Sequence, residues 1–313
     1  MEKKAVIKKI VNVIGKVITI LSLVFIVMAI RKLGFDFSAV DNIPQFLLQI
    51  ILGGIVICAT VFLLGIAWGQ WLNFFSQKHN SMKSIVCVYA KANIGKYLPG
   101  NVMHYVERNM FAGNMGISQK KIALSSVFEV AGQAGIAVVI AFCFSQNQLQ
   151  EALQNLGVDH YAGYLTALIL LAIFITVILG TKFRRKIQEV LAGYTIKEFL
   201  LTLCNSLFLY AAVLLAGGAI LVSLYIFMGG TINFSVALQL VAGYIIAWVL
   251  GFVVPGAPGG IGVREFVLTL LLGSVVGEEL ILTLSVLHRL VTIIGDFLAY
   301  IVRIFFQDKE IRN

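Results

Sequence analysis

Proline, charge and catalytic signatures are all scarce in this chain of 313 residues. Charged residues make up 12% of it against 59% hydrophobic, with a mean hydropathy of +0.94, and that balance excludes a soluble domain of ordinary composition. Cys58, Cys87, Cys143 and Cys204 stand singly in apolar stretches, with no C-x-x-C and no histidine at metal spacing. Disulfides, a zinc site and a thiol nucleophile therefore have no support. There is no H-E-x-x-H, no G-x-S-x-G and no carboxylate cluster with metal spacing, so no enzyme is expected and no cofactor or metal is required.

The charge that is present is mostly positive, 24 Lys and Arg against 15 Asp and Glu. These cations fall in short loops between apolar runs rather than along one stripe or tail. They are topology determinants and contacts for anionic membrane lipid, not a nucleic-acid surface. Runs long enough to cross about 30 Å of hydrocarbon extend approximately over Val11–Ile30, Phe46–Ala67, Ile122–Phe144, Tyr164–Gly180, Phe199–Phe227 and Leu280–Val302. The first follows Lys3, Lys4, Lys8, Lys9 and Lys16, lacks a convincing small-x-small cleavage site, and is expected to stay as an uncleaved helix.

Three of the four prolines mark two breaks. Pro99-Gly100 is followed by Arg108, and Pro255-Gly256 by Arg264, each arginine nine residues beyond its proline and the two breaks 156 residues apart. Shorter apolar pieces flank each break, near Ile85–Leu98 and Val102–Phe111, then near Leu238–Val254 and Phe266–Val276. Paired Gly/Pro-interrupted segments in the two halves of a membrane protein point to a transporter's binding site, because broken helices leave backbone groups free at membrane depth. The 156-residue offset carries the second span onto the fifth and the third onto the last. Three crossings and one re-entrant hairpin per half would insert the second half upside down. The expected fold is thus an all-α integral membrane protein of six to eight transmembrane helices. It forms a single polytopic domain with pseudo-repeats over approximately 1–150 and 160–305, an inverted internal repeat containing two re-entrant hairpins. Eight ordinary spans satisfy the same loop charges. Lys and Arg bias places both termini on the cytoplasmic side of the cell membrane, with 145–161 and 229–236 outside.

Two prolines and four glycines between Val254 and Gly262 prevent a continuous helix, so Pro255, Gly256, Gly259 and Gly260 must line something. A helix starting near Val263 would aim its free N–H groups and positive end at the break, and Arg264 adds a guanidinium fork there, making a seat for phosphate or carboxylate. The first-half counterpart has Pro99, Gly100, Asn101, His104, Glu107 and Arg108. Interfacial anchoring of Arg264 with Glu265, and of Glu107 with Arg108, is the competing account. Glu129 lies within an apolar span with Gln133 one turn on, and needs a cation: Arg289, Arg264 or Arg108. His288, Arg289 and Asp296 share the last span; structural ion pairing and substrate or proton coupling explain such residues equally well. Lys91 and Lys96 are expected to snorkel to headgroups, and Trp68, Trp71, Tyr89 and Tyr97 to sit in interfacial belts.

Lys96-Tyr97-Leu98-Pro99-Gly100, Gly116-Ile117-Ser118, Ser126-Val127-Phe128-Glu129 and Pro258-Gly259-Gly260-Ile261-Gly262-Val263-Arg264-Glu265 resemble the lysylphosphatidylglycerol synthase transmembrane, flippase-like family. The resemblance covers most of the chain, from about the first span to His288-Arg289. It implies a bacterial or archaeal membrane protein that translocates an anionic phospholipid or lipid-linked intermediate, with membrane lipids as its partners. Members that make the lysyl lipid carry a further soluble aminoacyl-transfer domain. This sequence reaches Asn313 without one, so synthesis is not expected of it. Members commonly show Glu-Arg in the third span where this chain has Glu129-Val130, so that ion pair must be made otherwise. A small-solute or ion carrier, or a non-catalytic component of an envelope lipid or polysaccharide pathway, is the alternative reading.

Overall fold

Asn42 begins the first helix by accepting a hydrogen bond from the Gln45 N–H at 3.1 Å, and Pro44 follows in the first turn, where its missing N–H costs nothing. The computed structural model describes residues 42–98, 102–144, 193–253, 260 and 262–306. The expected spans Val11–Ile30 and Tyr164–Gly180, and the residues Pro99, Gly100, Pro255, Gly256 and Gly259, lie outside the described residues.

Helix α1 runs over Ile43–Ser76 and ends where Gln77 turns left-handed, φ 54°. Asn73 and Asn80 then bridge the turn side chain to side chain at 3.0 Å, leading the chain into α2, Met82–Asn93. A 3₁₀ turn, Ile94–Tyr97, extends α2 toward the first break. Beyond it come α3, Met103–Gly113, and α4, Gln119–Phe144. The second half repeats this order with α5, Ile196–Phe227, α6, Phe234–Val253, α7, Val263–Val276, and α8, Glu278–Phe306. Gly277 at φ 90° makes the turn between α7 and α8, a conformation that side chains resist. Among the described residues all the regular structure is helical.

The packing is also alike in the two halves. α1 touches α2, α4 and α8, and α5 touches α6, α8 and α4; α2 meets α8 as α6 meets α4. The first and fifth helices run antiparallel. Phe75 O accepts from Tyr194 beside the start of α5, while Phe46 meets Phe227 at its end, the ring centroids 6.1 Å apart. Lys121 at the start of α4 donates to Ser76 O at the end of α1, whereas Gly53 and Gly54 of α1 face Val291 and Ile294 of α8 and Phe62 faces Phe306. α4 and α8 therefore run in opposite directions as well, as an inversion requires.

By length and composition α1, α4, α5, α6 and α8 can each cross a membrane, and the protein is an all-α, multi-pass membrane protein. α2 and α3, at 12 and 11 residues, extend only about 18 and 16 Å, too short to cross singly. α6, read near Leu238–Val254 as either part of a re-entrant hairpin or an ordinary span, is long and apolar enough to cross. Asn233 caps it by accepting from Val236 N–H, so it starts four residues before Leu238, and its 20 residues reach about 30 Å.

The two largest apolar clusters among the described residues share α1: one joins it to α5 to α8 around Leu221, Leu272 and Leu287, the other to α2 to α4 and Ala299 of α8 around Leu72, Ile85 and Ile122. Trp68, Trp71, Tyr89 and Tyr97 are buried, which corrects their assignment to interfacial belts. For Trp68 and Trp71 the cause is the length of α1. Its 34 residues reach about 50 Å, and α4 and α5 wrap its far end, with Trp71 set among Phe74, Phe75, Phe128 and Phe199.

Small residues let the central helices approach closely, since in lipid packing rather than water exclusion joins spans. A Cβ on Gly295 would stand 2.7 Å from Gly54 O and collide with Ile57. Gly295→Ala should therefore lower stability by about 2 kcal/mol, whereas Gly135→Ala, where nothing lies within 4 Å, should be neutral or stabilising. Thermal unfolding of the detergent-purified variants measures both, and equal midpoints would remove the close crossing of α1 and α8.

Candidate functional site

Charged side chains from both halves converge on one cavity of about 420 Å³ bordered by both apolar clusters. Its first-half wall is set by periodicity. Tyr89, Asn93, Lys96 and Tyr97 follow at i, i+4, i+7 and i+8, one face of α2 and its 3₁₀ extension, and all four line the cavity. α3 adds His104, Tyr105 and Arg108, and α4 adds Glu129 and Gln133; opposite them stand Arg264 and Glu265 of α7 and His288, Arg289, Thr292 and Asp296 of α8.

Glu129 is fully buried and Arg108 is 2% exposed. Arg108 Nη1 donates to Glu129 Oε2, Tyr89 donates its hydroxyl to Oε1 at 2.7 Å, and Gln133 Nε2 donates to Oε1 at 3.1 Å. The guanidinium also lies over the rings of Tyr89, at 4.2 Å, and Tyr105, at 4.8 Å. Of the three arginines open to Glu129 in sequence, Arg108 is the partner. The pair that Glu-Arg would supply elsewhere is thus made here between α3 and α4.

Asp296, 1% exposed, is the second buried carboxylate of the cavity lining. It accepts from Asn93 Nδ2 at 2.7 Å and from the Tyr97 hydroxyl, and Lys96 Nζ stands 2.7 Å away. Lys96 consequently points inward, correcting its assignment to the headgroup region: a fully buried carboxylate attracts it more strongly than the membrane surface does. Lys91 lies 3.7 Å over the ring of Phe111. Arg289, two turns before Asp296 on the same face of α8, pairs with Glu265 at 2.7 Å. The other oxygen of Glu265 accepts from Gly262 N–H, also at 2.7 Å, which ties the first turn of α7 to α8.

Arg264 remains. Among the described residues it has no ion-pair partner, and its buried Nε finds no acceptor. Glycines make its slot: a Cβ on Gly251 would stand 2.7 Å from Arg264 Cγ, and one on Gly260 would stand 2.9 Å from Nε. Gly260 thus belongs to the site by shaping the arginine's stem, at a φ of 75° that favours glycine. Lys96, Arg108, Arg264 and Arg289 face Glu129, Glu265 and Asp296, so the described lining carries one net positive charge with its histidines neutral.

Arg108, Glu129, Arg264, Glu265 and Arg289 are brought to one cavity; Pro99, Gly100, Pro255, Gly256 and Gly259 lie outside the described residues. Tyr89, Asn93, Lys96 and Tyr97 were missed as site residues. Their spacing on a single helix face was the available signal.

Breaking a buried pair strands a charge at a cost of about 3–5 kcal/mol. Glu129→Gln and Arg108→Gln should each destabilise the detergent-purified protein on that scale. The double variant should recover about 2 kcal/mol relative to their sum, as read from reversible denaturation; strict additivity would dissolve the pair.

No curated protein matches the chain. A family model described as the lysylphosphatidylglycerol synthase TM region matches residues 12–299. The match takes in α1 to α7, α8 as far as Ala299 and every described charged residue of the cavity, and the chain belongs to the lysylphosphatidylglycerol synthase TM region family.

Proposed function

We propose that this protein translocates an anionic phospholipid or lipid-linked intermediate between the leaflets of the cell membrane, without chemical change to it. Arg264, which has no ion-pair partner among the described residues in a cavity otherwise closed by ion pairs, carries the reading. A guanidinium at membrane depth without a carboxylate is costly unless an anion visits it, and its planar donors suit a phosphate. α7 begins at the same place, its first-turn N–H groups adding a positive end. Acyl or prenyl chains remain in the bilayer while the headgroup occupies the cavity.

The antiparallel relation of the two quartets supports alternating exposure of this seat to either side. Charge supports an orientation too. Lys78, Lys83, Lys120, Lys121 and Lys197 cluster at the end where α1 finishes and α4 and α5 start, while the α5–α6 turn at the other end contains no Lys or Arg. The lysine-rich end is assigned to the cytoplasm.

Leaflet exchange of fluorescent lipids in liposomes, read by dithionite quenching, tests the function. Arg264→Ala should slow headgroup-selective exchange at least about tenfold, or about 1.4 kcal/mol of barrier. Arg264→Lys should keep part of the rate, since it retains charge but not the fork. Exchange with the wild-type rate in Arg264→Ala would remove the seat. No exchange of any lipid by the intact protein would remove the translocase and leave a solute carrier or pathway component.

A further inference from the structure

We propose that the headgroup received at Arg264 is a phosphodiester bearing an uncharged glycosyl ring, with the phosphate on the guanidinium and the sugar against Trp248 and Phe252. This narrows the translocase reading to a substrate class and rests on it.

Charge gives the first constraint. Every carboxylate among the described lining residues is already occupied. Glu129 receives Arg108, Tyr89 and Gln133; Asp296 receives Lys96, Asn93 and Tyr97; Glu265 receives Arg289 and the Gly262 N–H. A headgroup ammonium would find no free carboxylate, and would enter a space whose one uncompensated charge is already positive. A phosphodiester brings one negative charge and balances Arg264. A phosphomonoester, approaching two charges at neutral pH, overshoots.

The second constraint is the surface beside that arginine. Trp248 and Phe252 both line the cavity, one turn apart on α6, with ring planes 3° apart and centroids separated by 5.5 Å. They bracket Gly251, the residue whose missing side chain admits the stem of Arg264. The stem of Arg264, from α7, therefore lies against the same turn of α6 that carries the two aromatic faces. Both rings are only partly buried, and the Trp248 indole N–H donates to no described residue. An aromatic face receives the C–H face of a sugar while leaving its hydroxyls to polar neighbours.

Those neighbours are present and uncharged where they are free. Asn93 and Gln133 both line the cavity and each commits its amide nitrogen to a carboxylate, while no described residue donates to either carbonyl oxygen. The lining thus offers one fixed cation, two aromatic faces and amide acceptors, a donor and acceptor set for hydroxyls rather than for a second charge. Its volume of about 420 Å³ lies within the usual range of ligand cavities.

Isothermal titration of the detergent-purified full chain with dioctanoyl probes tests this: phosphatidylglucose, phosphatidylglycerol, lysyl-phosphatidylglycerol and phosphatidic acid. Phosphatidylglucose should bind most tightly, at least about tenfold better than the lysyl lipid. Trp248→Ala should collapse its advantage over phosphatidylglycerol, and Trp248→Phe, which keeps a ring, should retain it. Equal or tighter binding of the lysyl lipid overturns the proposal, as does a proportionate loss for all probes in Trp248→Ala, which would assign the ring pair to acyl chains. If none of the four probes binds, the proposal is overturned as well. The expected binding order without leaflet transfer would sink only the translocase reading; transfer without that order would sink only the headgroup class.

Discussion

An ion buried between spans must find its counterion inside the protein, and the structure is organised around that constraint. Glu129 and Asp296 are almost without exposure, and neither could remain charged in an apolar bundle without a cation and further donors. Each therefore draws one cation and two neutral donors toward the cavity. The helices carrying those groups, α2, α3, α4 and α8, are fixed to one another through the two carboxylates as well as through their apolar faces. Buried pairs of this kind add little net stability over an apolar core, but they leave few alternative arrangements of the helices that supply them.

α2 has a particular place in this arrangement. One face of it supplies Tyr89 to Glu129 and Asn93 to Asp296, with Lys96 and Tyr97 of its 3₁₀ extension completing the second network. A single short element thus connects the first-half pair to a carboxylate of the last span. Gly95 is part of the same junction: a Cβ there would stand 2.8 Å from Glu107 Oε2 and 3.0 Å from His104 N, so α3 approaches the turn as closely as backbone allows.

Much of this was legible in the sequence, and the parts that were not have physical reasons. The paired proline-glycine breaks and their arginines gave the repeat offset, and Arg108, Glu129, Arg264, Glu265 and Arg289 do face one cavity. What sequence could not give was partner choice, since Glu129 had three arginines open to it and only packing brings α3 onto α4. Aromatic residues misled for a related reason. Trp68 and Trp71 look like belt residues when each span is treated alone, but a 34-residue helix carries its far end under neighbouring helices. Lys96 misled because the carboxylate that draws it inward lies two hundred residues further along the chain.

The asymmetry within the repeat explains why one arginine is left over. Each half latches its short post-break helix to the following span by an ion pair, Arg108 of α3 with Glu129 of α4, and Glu265 of α7 with Arg289 of α8. The polarity is reversed: in the first half the short helix supplies the cation, and in the second it supplies the anion. Glu265 is well placed to do so, because its carboxylate also satisfies a first-turn N–H at the positive end of α7. With Glu265 making the latch, Arg264, which stands 156 residues beyond Arg108, is released from it. Two identical latches would have spent both arginines and left a neutral cavity. Reversal of one converts an otherwise balanced set of pairs into a cavity with a single cation available to a ligand among its described lining residues.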